Sequence, residues 1–130
     1  MTRPSILVVD DDPDTGGALA SLLESCGYEV TTATDGVAAL AKITPCAPDI
    51  VITDIVIPKL SGVELCIELK ANADTRRIPV IVCSGVVQPP PILAQPGIAY
   101  LSKPVDFDVL ARINEELLGV SSKSAPDAAR

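Results

Sequence analysis

Four short apolar segments of the chain each lead into a residue type that phosphoryl chemistry requires. Three carboxylates, one hydroxyl and one amine stand at corresponding ends of these segments. If the segments are parallel strands, the five groups meet in one crevice at the carboxyl edge of a sheet. The residues are Asp10 and Asp11 after Ile6–Val9, Asp54 after Ile50–Thr53, Ser84 after Val80–Cys83, and Lys103 after Ile98–Leu101.

The three carboxylates would be crowded if the first and third strands are neighbours. Two like charges ~4 Å apart repel by about 1 kcal/mol in water and by several times more near a protein surface. Such a cluster takes up protons or binds a cation, and all-oxygen ligands suit Mg²⁺, with Mn²⁺ as an alternative. A bound divalent ion would neutralise an incoming phosphoryl group, and one carboxylate could then act as nucleophile. Lys103 would supply a fixed positive charge and Ser84 a hydroxyl donor.

Each of these features also has a simpler interpretation. Asp10 and Asp11 can be turn residues, Asp54 an ordinary loop residue, and the segments at Ser84 and Lys103 solvated turns. Asp12 is interpreted as a helix N-cap, with no role in a site, because Pro13 follows it at the first helical position. The occurrence of all the features at one strand end, in the order that one site requires, favours the phosphoryl-transfer interpretation.

Length and composition indicate one domain with an aliphatic core. The chain has 130 residues, of which 48% are hydrophobic, yet it has two Tyr, one Phe and no Trp. The net charge of −7 argues against direct binding of nucleic acid. The sequence shows no secretory signal and no membrane-length apolar run, so a cytoplasmic location with reduced thiols is expected. The four Cys residues lack metal-site spacing and are predicted to be small buried hydrophobic residues.

Strand and helix patterns alternate along the chain, which specifies an α/β doubly wound domain. Strands are predicted at Ser5–Val9, Tyr28–Ala33, Asp49–Thr53, Ile78–Cys83 and Ile98–Leu101. Helices are predicted to run from the Asp12 cap to Gly27, from Asp35-Gly36 to Thr44-Pro45, from the capping box at Ser61, and from the Asp106 cap to Gly119. One domain is therefore predicted over residues 1–119, with 120–130 a flexible polar tail or the start of a linker.

Together these motifs resemble the receiver domain of two-component response regulators. The resemblance covers about Ile6 to Leu118, and its combination of motifs is specific although each motif alone is not. It implies a five-stranded parallel sheet of order 2-1-3-4-5, as in flavodoxin-like folds. The segments that carry it are Ile6–Asp12, Asp54–Pro58 with Ser61-Gly62, Val82–Gly85 and Tyr100–Pro104.

The resemblance also implies a role for each site residue. Asp54 would accept a phosphoryl group from a phosphohistidine on a sensor histidine kinase or a histidine phosphotransfer protein. Asp11 would hold Mg²⁺ directly and Asp10 largely through water, with Asp54 and the backbone carbonyl of Val56 as further ligands. The expected roles of the remaining residues are these: Ser84 moves toward the phosphoryl group, Lys103 pairs with it, Tyr100 changes rotamer, and the Lys103-Pro104 peptide is cis.

Two departures from the family pattern carry expectations of their own. The Pro-rich segment Val86–Gly97 leaves room for at most one helical turn, so the helix between the fourth and fifth strands is expected to be short or irregular. Receivers often have polar residues at the positions of Val56 and Val86, where they place the hydrolytic water. Apolar side chains there cannot position water by hydrogen bonding, so slow loss of the phosphoryl group from Asp54 is predicted.

The leading interpretation is a phosphoacceptor switch that acts on a downstream protein or output domain and turns over no small-molecule substrate. A homodimer, the cognate kinase and the output are left open. One alternative is an interaction module with the receiver fold that works without phosphorylation. Another is an aspartate-nucleophile phosphatase of the haloacid dehalogenase type, but that family needs a second Asp where Val56 stands.

Overall fold

Parallel strands form a single sheet at the centre of the computed structural model, which describes residues 3–85, 91, 96–103 and 106–122. In this part of the chain the sheet has five strands, in the order β2-β1-β3-β4-β5. Their bounds are Ser5–Val9 (β1), Glu29–Ala33 (β2), Ile50–Asp54 (β3), Val80–Ser84 (β4) and Ile98–Ser102 (β5). The predicted doubly wound architecture and the predicted strand order are both confirmed.

The strand order reverses at β1, which lies between β2 and β3. Val9 pairs with Ala33 on one side and with Thr53 on the other. Successive crossovers on either side of such a point leave a crevice at the carboxyl ends of the two strands, where α/β proteins bind ligands. The residues that follow β1 and end β3 are Asp10 and Asp54, so both reach this crevice.

The central strands are buried on both faces, as their continuous Val and Ile runs predict for parallel strands. Side chains that alternate along β1, β3 and β4 divide into two apolar clusters, one on each face of the sheet. One cluster contains Leu7, Val51 and Val82 with residues of α2 (Gly36–Cys46) and α3 (Gly62–Ala71). The other contains Val8, Ile52 and Ile81 with residues of α1 (Pro13–Ser25) and α4 (Phe107–Ser122).

The helices begin at the predicted caps. Asp12 accepts a hydrogen bond from the amide of Asp14, and Asp35 accepts one from the amide of Ala38. Ser61 and Glu64 form a reciprocal capping box at the start of α3. At the end of α1, Gly27 takes a φ of +98°, the left-handed conformation that glycine adopts without strain. Local sequence signals thus determine where these helices begin and where α1 ends.

Two helices run further than predicted. α2 continues through Pro45 to Cys46, because a proline in the last turn removes only one intrahelical hydrogen bond. α4 passes through Gly119 to Ser122, since glycine weakens a helix by about 1 kcal/mol relative to alanine without ending it. β4 begins at Val80 rather than Ile78, because Pro79 has no amide hydrogen for the ladder.

The prediction that all four Cys residues are buried is wrong for two of them. Cys66 and Cys83 are buried, and burial raises the pKa of these thiols to about 11 and about 12. Cys26 and Cys46 are exposed, because they lie at the ends of α1 and α2, where the helical face no longer packs on the sheet. All four are free thiols.

Several predictions concern residues outside the described part of the chain. They are the short or irregular helix predicted over Val86–Gly97, of which only 91, 96 and 97 are described, the cis peptide before Pro104, and residues 123–130 of the polar tail predicted over 120–130. Residues 120–122 of that predicted tail belong to α4. Within the described ranges, the helices are all too short or too polar to span a lipid bilayer.

Candidate functional site

An ion pair between Asp54 and Lys103 lies at the carboxyl edge of the sheet. Asp54 is the last residue of β3, Lys103 follows β5, and Nζ of Lys103 stands 2.7 Å from Oδ2 of Asp54. The backbone amide of Lys103 donates to the carbonyl of Ser84 at 2.8 Å, which fixes where the lysine leaves the sheet. The hydrogen bond to Asp54 raises the pKa of Lys103, against an opposing effect of partial burial, so the ammonium form is favoured.

Asp10 lies beside this ion pair. Its backbone amide donates to the carbonyl of Ala33 at 3.0 Å, and its Oδ1 accepts the amide of Asp12 at 2.9 Å. Asp10, Asp54 and Lys103 line one cleft of about 630 Å³. The rest of the wall is largely apolar, from Val8, Val9, Leu19, Ile52 and Cys83, with Thr15 and Thr53. Two carboxylates and an ammonium therefore share a cleft with a low-polarity floor.

Asp11 is exposed and does not line the described cleft. No three Asp, Glu, Cys or His side chains in the described ranges lie close enough together to hold one metal ion. The crowded three-carboxylate cluster expected from the sequence is thus not assembled in this conformation. The roles of Asp10, Asp11, Asp54 and Val56 as metal ligands stay predictions.

The donor set still fits a small divalent cation. Oδ1 of Asp54 accepts a hydrogen bond from the amide of Val56 at 3.3 Å, so the backbone of Val56 lies beside the Asp54 carboxylate. Mg²⁺ is usually held by one or two carboxylates and keeps several waters, so it does not require three converging carboxylates. Asp10 and Asp54, which line one cleft, meet that requirement by their oxygen chemistry.

Ser84 lies on β4, the strand next to β3, and Tyr100 lies on the following edge strand, β5. Ser84 ends β4, is 2% exposed and pairs in register with Ser102. Tyr100 is half-buried on β5, pairs with Val82, and packs against the apolar cluster on the α2–α3 face. Both residues are therefore placed on strands that lead to the cleft; their predicted movements are not tested.

The loop from Ile55 to Ser61, which we call the acceptor loop, contains features that the sequence analysis missed. A methyl group on Gly62 would sit 2.1 Å from the carbonyl oxygen of Asp54, so only glycine fits there. Lys59 adopts a φ of +71°, uncommon for a residue with a side chain, and its ammonium lies 3.7 Å from Asp35. The glycines of Asp35-Gly36 and Ser61-Gly62 were the sequence features that could have indicated a close backbone contact with this loop.

The sequence of the chain matches one protein family over most of its length. The family model described as "Response regulator receiver domain" matches residues 6–114. Response regulator MprA of Mycobacterium sp. (strain KMS) is 36% identical over 125 residues, covering 95% of this chain and 54% of the relative. Protein PilH of Pseudomonas aeruginosa is 36% identical over 118 residues, covering 88% of this chain and 98% of the relative.

Other curated relatives are longer than this chain. The "DNA-binding dual master transcriptional regulator RpaA" of Synechocystis is 34% identical over 114 residues, which cover 85% of this chain and 47% of that protein. The chain thus spans about half the length, or less, of the first curated relatives it matches.

Solved structures show the same fold. A response regulator receiver domain protein from Clostridium thermocellum is similar with a TM-score of 0.85 and 30% identity, over 94% of this chain and 99% of that one. The receiver domain of the sensor histidine kinase PA1611 from Pseudomonas aeruginosa, with a magnesium ion in its active-site cleft, has a TM-score of 0.81 and 29% identity, over 91% and 99%. The sheet order, the cleft and these similarities together show that the chain belongs to the response regulator receiver domain family of two-component systems.

Proposed function

We propose that Asp54 accepts a phosphoryl group from a phosphohistidine on a sensor histidine kinase or a histidine phosphotransfer protein, and that this changes the shape of the domain. The observation that carries the proposal is the 2.7 Å contact of Lys103 with Asp54, in the cleft that Asp10 also lines. A carboxylate held by a fixed ammonium at the carboxyl end of a central strand is poised both to attack phosphorus and to have its product stabilised.

In the proposed transfer, a carboxylate oxygen of Asp54 forms a bond to phosphorus while the phosphorus–nitrogen bond of the phosphohistidine breaks. The electron pair of that bond leaves with the donor imidazole. Lys103 is near enough to pair with the phosphoryl oxygens, and the ammonium form that its raised pKa favours is the form this pairing needs. The apolar floor of the cleft strengthens these charge interactions, because it lowers the local dielectric.

Asp10, Asp11, Asp54 and the carbonyl of Val56 are the residues that would hold Mg²⁺. When bound, the ion supplies charge neutralisation for the phosphoryl oxygens and orientation for in-line attack. The magnesium in the cleft of the PA1611 receiver domain supports this choice. Nothing in the comparisons supports Mn²⁺, which the sequence analysis left as an alternative.

The surroundings of Asp54 bear on how long a phosphoryl group lasts. Val56 is 70% exposed, its amide bonds to Oδ1 of Asp54, and its side chain offers no hydrogen bond to an attacking water. Val86, the other apolar residue in this expectation, lies outside the described residues. We therefore propose slow hydrolysis of the phosphorylated form. The only turnover proposed for the domain is its own phosphorylation and dephosphorylation, with no small-molecule substrate.

The proposed partners are a phosphoryl donor and a downstream protein or linked output domain, in the cytoplasm. RpaA is named as DNA-binding, but this chain spans only about half of it, and the net charge of −7 makes DNA binding by the receiver itself unfavourable. A homodimer would be one form of downstream partner.

The switch is tested by amide NMR spectra before and after phosphorylation with acetyl phosphate and Mg²⁺. We expect resonances of Ser84, Tyr100 and Lys103 to shift in the wild type and to stay unchanged in Asp54→Asn. Phosphorylation of Asp54 without any shift at Ser84 and Tyr100 would favour the alternative function, an interaction module whose shape does not respond to phosphorylation.

A further inference from the structure

The start of α2 touches the acceptor loop through a contact that only glycine permits. A methyl group on Gly36 would stand 2.2 Å from the carbonyl oxygen and 2.5 Å from the Cβ atom of Leu60. Carbon atoms in ordinary contact are about 3.5 Å apart, so a side chain at Gly36 would push the Leu60 backbone away by roughly 1 Å. The contact is with backbone, which cannot rotate aside as a flexible side chain can.

Two hydrogen bonds and an ion pair hold the same part of the loop. The amide of Gly36 donates to the carbonyl of Pro58 at 3.2 Å, and the amide of Leu60 donates to that same carbonyl at 2.7 Å. Between these residues, Lys59 takes its left-handed backbone conformation with its ammonium 3.7 Å from Asp35. A non-glycine residue in that conformation stores strain unless its surroundings enforce it. The start of α2 provides that enforcement.

The opposite end of the loop is fixed to α3. The amide of Gly62 donates to the carbonyl of Ile55 at 2.8 Å, and Gly62 has no room for a side chain against Asp54. Val56 lies between the two fixed ends, with its amide on Oδ1 of Asp54. The carbonyl of Val56 belongs to the backbone, so it cannot reorient by a change of rotamer. Its direction is set by the conformation of the loop. We therefore expect a displacement of Leu60 to shift Val56, because the segment between them is short and its other end is held by the bond from Gly62 to Ile55.

We propose that Gly36 is a positioning residue for the divalent-cation site: by admitting the Leu60 backbone against α2, it sets the acceptor loop that presents the Val56 carbonyl. This inference rests on the proposed function, in which that carbonyl is a Mg²⁺ ligand. It adds a residue on a different helix that touches neither the metal nor the phosphoryl group. It also makes the start of α2 responsive to the state of the site.

The first test is the Mg²⁺ dissociation constant of Gly36→Ala, measured by titration calorimetry. Loss of a group that orients a metal ligand typically costs 10- to 100-fold in metal affinity, and because Gly36 would act through Leu60 we expect a loss at the lower end, about 10-fold. Two variants serve as matched controls. Gly17→Ala adds the same methyl group to α1, where nothing lies within 4 Å. Ala41→Gly weakens α2 at an exposed position away from the loop. Both controls are expected to bind Mg²⁺ within about 2-fold of the wild type.

A loss of stability alone does not satisfy the proposal. If Gly36→Ala and Ala41→Gly lower the urea midpoint alike and both keep wild-type Mg²⁺ affinity, Gly36 is merely structural and the inference is overturned. Absence of Mg²⁺ binding by the wild type would overturn the proposed metal site together with this inference. Normal binding by both the wild type and Gly36→Ala would overturn this inference alone.

A second measurement on the wild type decides the matter if Gly36→Ala does not fold. In a Mg²⁺ titration followed by amide NMR, the Gly36 resonance is expected to shift with the same dissociation constant as calorimetry gives. The Gly27 resonance, at the far end of α1, is expected to stay in place. A Gly36 resonance that does not move while those of the acceptor loop do would overturn the proposal.

Discussion

Nζ of Lys103 contacts Oδ2 of Asp54 at 2.7 Å, joining the loop after the edge strand β5 to the end of the central strand β3. The two residues are 49 positions apart in sequence, and the lysine is held in place by the bond from its amide to Ser84. This ion pair links the Asp54 carboxylate to the residue that follows β5. A phosphoryl group on Asp54 would be sensed first through Lys103.

Replacing Lys103 with Met should slow phosphorylation of Asp54 by acetyl phosphate roughly 100-fold, because one preorganised charge partner of the transferred group is removed. The rate is measured by intact mass against time. Arg112→Met, which removes an exposed charge on α4, should leave the rate unchanged. Equal rates for wild type and Lys103→Met would show that the ion pair has no role in the transfer.

Exchanging Val56 for Asn should shorten the lifetime of the phosphorylated form. The amide can hold a water for attack, and one net hydrogen bond of about 1 kcal/mol corresponds to about a 5-fold faster decay. Val37→Asn, at an exposed position on α2, is the matched control. Loss of the phosphoryl group from the wild type within seconds at room temperature would contradict the slow hydrolysis proposed for this domain.

The thiols should divide into two classes. At pH 8 an excess of iodoacetamide should modify exposed Cys26 and Cys46 and spare Cys66 and Cys83, whose burial raises their pKa and shields them. Intact mass should therefore show two adducts on the folded protein and four in urea. Modification of Cys83 in the folded protein would mean that the floor of the cleft opens to solvent.

The same burial gives stability a dependence on alkaline pH. The pKa of Cys66 is about 11 and that of Cys83 about 12 in the folded state, against a usual value of 9.0, so the folded protein keeps protons that the unfolded chain releases. The corresponding stability is complete below pH 9 and is lost as the pH rises toward 11–12. Urea unfolding from pH 8 to 10 should show this decline, and Cys66→Ala should reduce its slope. A slope identical in the variant would contradict the assignment.

Asn114→Leu should stabilise the domain. The Asn114 side chain is fully buried on α4, and neither its amide nitrogen nor its oxygen has a hydrogen-bond partner among the described residues. A buried unpaired polar group costs about 1–3 kcal/mol, and leucine would fill the site without that cost. Urea denaturation measures the gain in the free energy of unfolding. Arg112→Leu, exposed on the same helix, should change it by no more than about 0.5 kcal/mol. A destabilised Asn114→Leu would indicate that the amide has a partner.

The fold was predictable because the apolar periodicity of the strands and helices and the helix-capping residues indicate the same element boundaries. The Val and Ile runs, the Asp12 and Asp35 caps and the Ser61–Glu64 capping box are local signals, and the structure follows them. The ends of α2 and α4 were not predictable from Pro45 and Gly119. Packing on the sheet outweighs the cost of such residues near a helix end.

The site was predictable only in part. The order of Asp10, Asp54 and Lys103 along parallel strands was enough to place them in one cleft. The position of Asp11 outside that cleft depends on the backbone after β1, which no residue pattern specifies. The close approach of Gly36 to Leu60 joins the start of α2 to a loop distant in sequence, and a glycine at a helix start is equally consistent with an ordinary first turn.

Intact mass after incubation with Mg²⁺ and acetyl phosphate tests the central claim most directly, with Asp54→Asn measured alongside the wild type. The account predicts one added phosphoryl group on the wild type, none on the variant, and none on either protein when a chelator is present. No adduct on the wild type, or an adduct that persists in Asp54→Asn, would contradict the claim that Asp54 is the phosphoacceptor.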